Sequence, residues 1–131
     1  MKIYLAGGFA RIKEIKEYGR LLTEDGHEVT STWLREKSDP KSDLTDVSPR
    51  FCRDHAKLDI RDIEAADSFG LFTVDPLTPT KRGGRHVEFG YALAQGKTLY
   101  LIGPYENIFH YLPGIKQFDT FEEFRDAVKG V

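Results

Sequence analysis

Three short apolar runs, each ending in glycine or proline, constrain the fold of this chain more than any other feature. Lys2-Ile3-Tyr4-Leu5-Ala6 runs straight into Gly7-Gly8. Ser68 to Val74 carries Phe69, Leu71, Phe72 and Val74 before Asp75-Pro76, and Thr98 to Ile102 ends in Gly103-Pro104. Runs of this length without polar alternation read as strands covered on both faces, which occurs in parallel sheets flanked by helices. The segments between them carry helical periodicity. Residues 11 to about 25 place Ile12, Ile15, Tyr18, Leu21 and Leu22 on one face and Lys, Glu and Arg on the other, up to Gly26. Ser48-Pro49 reads as an N-cap followed by proline in the first helical position, opening a helix through Ala66. His27 to Trp33 reads as a second strand, with Trp33 near its carboxyl end as core or pocket wall. Residues 115 to 118 read as a short edge strand, and Phe121 to Val128 as a closing helix with Phe121, Phe124 and Val128 inward. Strand, turn and helix in alternation predict an α/β doubly wound sheet of five parallel strands in a flavodoxin-like order, as a single domain.

In such a sheet ligands collect at the carboxyl ends of the strands, so the residues just after each strand are the first candidates for function. The spacing G-x-G-x-x-G is absent after the first strand and no Walker phosphate loop occurs, so no cofactor such as NAD or ATP is called for. The 131 residues carry a formal charge of -2, which provides no basic field for a nucleic acid polymer. No apolar run is long enough for a bilayer, no signal peptide is evident, and one cysteine excludes an internal disulfide; a cytoplasmic protein is the expectation. Leu34 to Pro49 is mostly charged or small, with a polar run at 37–43, and reads either as a lid over the sheet's active edge or as a surface insertion.

Arg82-Gly83-Gly84-Arg85-His86-Val87-Glu88 opens a further helix, with Val87, Tyr91 and Ala94 as its expected sheet-facing side and the glycines allowing close approach of a ligand. Glu88 is expected in the first helical turn, where free amides and the helix dipole favour the ionised form that a nucleophile needs. Cys52, His55 and Asp59 share a helical face, but three mixed ligands without a fourth make a poor metal site. Cys52 lacks an orienting partner in sequence for a thiol nucleophile and reads as packed.

Glu88-Phe89-Gly90-Tyr91-Ala92-Leu93-Ala94-Gln95-Gly96-Lys97 resembles the nucleophile helix of the nucleoside 2-deoxyribosyltransferase family. Residues 2 to 7 resemble that family's first strand, and Asp59 to Asp67 its helix before the third strand. The resemblance implies that Glu88 attacks the anomeric carbon of a 2'-deoxyribonucleoside, giving a glycosyl ester that a second base or water resolves with retention. The sugar would lie over the carboxyl ends of strands one, three and four. Asp59 matches an aspartate that reaches the sugar and departing base, while Asp67 reads as structural. Tyr4 matches a tyrosine that positions the nucleophile, and Phe9 an aromatic residue against the base; both are also ordinary core candidates. Where transferases of the family often carry another aspartate, this chain has Arg82, so Asp75 is a substitute if 76–81 is an insertion. Asn107 resembles an asparagine extended to a neighbouring subunit's sugar, which implies at least a homodimer with Phe109, Tyr111 and Leu112 at the interface. The related 2'-deoxynucleoside 5'-phosphate N-hydrolases imply an alternative, in which Lys81, Arg82 and Arg85 beside Gly83-Gly84 receive a phosphate. The partners implied are a small-molecule nucleoside or nucleotide and a free nucleobase. A catalytically silent nucleotide-binding module is the third reading.

Overall fold

A computed structural model describes residues 1–36, 47–80 and 82–131. The polar run at 37–43 and Lys81 lie outside the described residues, as does most of the segment read as lid or insertion. Five strands form one parallel sheet: β1 (Lys2–Ala6), β2 (Glu28–Val29), β3 (Ser68–Phe72), β4 (Thr98–Ile102) and β5 (Lys116–Phe118), in the order β2-β1-β3-β4-β5. This is the flavodoxin-like order, with the crossover reversing between β1 and β3. All five residues of β3 are buried, as the apolar run required of a central strand.

The two faces of the sheet are set by alternation along β1. Leu5 points to the side covered by α1 (Ile12–Glu24), where it meets the helix at Gly19. Tyr4 points to the other side and stacks on Phe69, its register partner in β3, with ring centroids 5.6 Å apart. The closing helix α4 (Phe121–Ala127) joins α1 on the first face: Tyr18 stacks on Phe121 at 4.0 Å, and Arg125 Nε donates to Asp25 at 2.7 Å. On the opposite face lie α2 (Pro49–Ala65) and α3 (Gly84–Ala94), packed beside each other. The Ser48 hydroxyl accepts the Phe51 amide with Pro49 in the first turn, a cap worth about 1 kcal/mol. Among the described residues no helix is long and apolar enough to cross a membrane.

Two expectations change. The second strand stops at Val29 instead of reaching Trp33, because local side chains take over the backbone's hydrogen bonds. Ser31 Oγ accepts the Leu5 amide at 2.6 Å, and the Asp62 carboxylate accepts both the amide (2.9 Å) and hydroxyl (2.6 Å) of Thr32. The chain therefore turns into a 3-10 segment at Thr32–Arg35. The second change is the phase of α3. Its buried residues are Arg85, Phe89 and Ala92, whereas Val87 is 70% exposed. The helix starts at Gly84 after a left-handed Gly83, and its inward row is pinned by a buried ion pair between Arg85 and Glu106. That row also carries Glu88 toward the sheet.

Candidate active site

A cavity of about 430 Å³ opens at the carboxyl ends of the strands on the α2–α3 side. Gly7, Gly8, Phe9 and Ala10 supply its floor directly after β1. Trp33 and Glu36 come from the segment after β2, Phe51, His55 and Asp59 from one face of α2, and Arg82 to Arg85 with Glu88 from the start of α3. Among the described residues, none that follows β4 lines it. The β4 side contributes at one remove, through the Glu106 carboxylate that grips Arg85.

Glu88 lies in the second turn of α3, not the first, so the free amides at the helix start are too distant to favour its charge. The sign of the expected effect is reversed: its carboxyl is pushed up to about 7, by burial first, with the Tyr4 hydrogen bond opposing and the charge of Asp59 adding to the rise. The Tyr4 hydroxyl donates to Glu88 Oε2 across the sheet-helix interface. Tyr4 itself is fully buried, and burial followed by the charge of Glu88 drives its hydroxyl far above the ordinary phenol range. It therefore stays a donor at every relevant pH. Asp59 is raised to about 6, first by burial and then by the charges of Asp62 and Glu36, with His55 opposing. Two carboxyls thus face one cavity, and the charge of Asp59 disfavours ionisation of Glu88.

The remaining candidates divide. Phe9, Arg82 and Gly84 line the cavity with Tyr4 directly behind Glu88. Phe9 packs at 6.0 Å between centroids from Trp33, whose Nε1 donates to the Leu5 carbonyl at 2.8 Å, so Trp33 is at once core and wall. Arg82 adopts a left-handed backbone, φ 64°, rare for a non-glycine residue. Asp75 is exposed, does not line the cavity, and uses its carboxylate to accept the Leu77 amide at 2.8 Å in a turn. Asn107 also lies off the cavity and caps the 3-10 turn Ile108–Tyr111 by accepting the Phe109 amide. Arg85, expected beside a phosphate, has its charge already met by two hydrogen bonds to Glu106. Asp67 ties the start of the sheet together by accepting the Lys2 amide, far from the cavity, as expected.

Cys52 does not line the cavity, and among the described residues no three His, Cys, Asp or Glu side chains are grouped to hold a metal ion. Glu36 and Phe51 were not singled out from sequence, and His55 only as a weak ligand. His55 Nδ1 and Glu36 Oε1 lie 2.7 Å apart although the residues are 19 positions apart on different segments. Only the chain's path joins them, and no local spacing signals that contact.

No protein-family model matches the chain, and no curated protein matches it. Solved structures do. The 2-deoxyribosyltransferase of Bacillus psychrosaccharolyticus is similar with a TM-score of 0.73 and 21% identity, over 96% of this chain and 91% of that one. The CMP N-glycosidase BcmB of Clostridium botulinum gives a TM-score of 0.61 and 24% identity over 98% of both chains. A conserved protein from Enterococcus faecalis V583 gives 0.64 and 18% over 96% and 95%. At these identities the likeness is one of fold, and this chain has the fold that a 2-deoxyribosyltransferase and a CMP N-glycosidase share.

Proposed function

We propose that this chain cleaves the N-glycosidic bond of 2'-deoxyribonucleosides through a covalent glycosyl ester on Glu88 and transfers the sugar to another base. The observation that carries this reading is the Glu88 carboxylate held by the Tyr4 hydroxyl at the wall of a cavity that also presents a raised Asp59. A Glu88 oxygen attacks C1' while the C1'–N bond breaks and its electron pair leaves with the base. The proton that makes the base a competent leaving group comes from Asp59. In the second half, a nitrogen of the incoming base attacks C1', the ester oxygen departs as carboxylate, and Asp59 recovers a proton. Two inversions at one carbon give retention. Tyr4 donates throughout and holds the attacking oxygen in place. Phe9 offers a ring face to the base.

The similarity in fold to a 2-deoxyribosyltransferase supports this reading, and similarity to a CMP N-glycosidase supports a second, hydrolysis of a 5'-monophosphate. In its favour, Arg82, Gly83 and Gly84 line the same cavity as Glu88, and backbone amides at a helix start suit a phosphate. Comparing deoxycytidine with its monophosphate, with and without an acceptor base, separates the two. Asn107 and the exposed side chains Phe109 (56%) and Tyr111 (69%) support a homo-oligomer in which Asn107 completes a neighbouring site. The chemistry is tested by mixing the protein with a slow 2-fluoro nucleoside and sequencing the modified peptide. A glycosyl adduct on Glu88, and loss of base release in folded Glu88→Ala, are expected; turnover retained by that variant rejects the mechanism.

A further inference from the structure

Across the cavity from Glu88 the wall is built of rings and one unexplained carboxylate. Phe51 and His55 lie with centroids 3.9 Å apart on α2, while Phe9 and Trp33 form a second ring pair. Flat aromatic faces suit a nucleobase. The polar atoms on this wall are unusually one-sided. Trp33 Nε1, the one strong donor of the four rings besides His55, is already bonded to the Leu5 carbonyl. A carboxylate accepts only, so His55 Nδ1 carries the proton it shares with Glu36 Oε1. Among the described residues Glu36 Oε2 has no hydrogen-bond partner. Both Glu36 and His55 line the cavity, with side chains 22% and 36% exposed. On this wall Glu36 therefore offers an acceptor while the Trp33 donor is already used.

We propose that Glu36, oriented by His55, determines base specificity and selects nucleosides whose base carries an exocyclic amino group over those with a carbonyl there. An amine of cytosine or adenine donates to Glu36. The carbonyl of uracil or hypoxanthine brings one acceptor against another, and the contact costs binding instead of contributing to it. The inference rests on the nucleoside reading above and names the substrate class for the same cavity.

The test measures equilibrium binding and kcat/KM for deoxycytidine against deoxyuridine and deoxyadenosine against deoxyinosine, at the pH of maximal activity. The wild-type protein is expected to prefer the amino member of each pair by about tenfold or more in both readouts. Glu36→Gln, which presents an amide donor in the same shape, is expected to abolish or invert the preference with the change carried mainly by KM. His55→Phe keeps the ring, frees the carboxylate, and is expected to weaken the preference without inverting it. Equal binding of the paired nucleosides, binding of none, or a preference that survives Glu36→Gln overturns the proposal. Amino-selective binding without base release would instead sink the catalytic reading and leave Glu36 as the selector.

Discussion

The Tyr4 hydroxyl donates to the Glu88 carboxylate from a residue 84 positions earlier in the chain, joining the first strand to the third helix at the point where the cavity opens. Tyr4 sits between that acceptor and the Phe69 ring, fully buried, so its hydroxyl has little freedom to point elsewhere. The pair explains how a carboxylate raised by burial is still available as an anion: the hydrogen bond opposes the burial.

Removing that donor has a defined sign. Because the Tyr4 hydrogen bond lowers the Glu88 pKa, Tyr4→Phe raises it further above about 7. A bond to a charged group is worth about 1.5–3 kcal/mol, so the alkaline limb of the kcat/KM profile, which follows the higher of the two pKa values, is expected to move up by about one to two pH units while the maximum falls. A pH profile with unchanged limbs would show that Tyr4 does not tune the nucleophile.

Glu88 and Asp59, near about 7 and about 6, behave as one coupled pair. Below this interval both carry protons and no anion attacks; above it both are charged and no acid serves the base. Activity is expected to be bell-shaped with its maximum between about pH 6 and 7. Asp59→Asn removes both the acid and a charge that raises Glu88, so the alkaline limb disappears and one limb set by Glu88 remains below about 7, while the rate falls by about 10²–10⁴ with poor leaving groups. Steady-state kinetics over the full range checks both features.

The same raised carboxyl costs stability. A folded-state pKa above the unfolded value favours the native state fully below the unfolded pKa, and the contribution is lost as pH rises toward the folded one. For Glu88 the window runs from its ordinary 4.5 to about 7. Glu88→Gln removes the charge and is expected to gain about 1–3 kcal/mol over the wild type at pH 8, with no gain below pH 4.5. Thermal or urea unfolding at several pH values checks it, and a difference independent of pH would contradict the assignment.

The Arg85 and Glu106 side chains are both 7% exposed and meet through two hydrogen bonds, one of them 2.7 Å. His110, also buried, accepts the Glu106 amide at Nδ1. Glu106→Gln leaves the guanidinium without its counter-charge and is expected to destabilise by about 3 kcal/mol in urea titrations. Replacing both residues by apolar ones of similar volume is expected to cost less than the single change.

Gly103 follows β4 at φ 120°, and a Cβ there would lie 2.5 Å from Thr73 Oγ1 and 3.1 Å from the Thr73 carbonyl oxygen. Gly103→Ala is expected to lose about 1–3 kcal/mol through backbone strain alone, more if Thr73 cannot move, as read by the unfolding midpoint.

By itself the sequence determined the elements that rest on period and local chemistry. The apolar run 68–74 read as a central strand, which the fold forms over Ser68–Phe72, Ser48-Pro49 read as a helix start, and Phe121, Phe124 and Val128 were spaced to face inward. These depend on neighbours within a turn or two, which residue order records. The tertiary structure alone decided the rest. It rotated α3 onto Arg85 and Phe89, ended β2 early by bringing Asp62 to Thr32, and reversed the expected effect on Glu88 by burying it against Tyr4 and Asp59. It also brought Glu36 to His55. Each of these outcomes depends on groups distant in sequence meeting in a low-dielectric interior, where the energy of a charge or an amide is set by which partner arrives, and periodicity does not encode that.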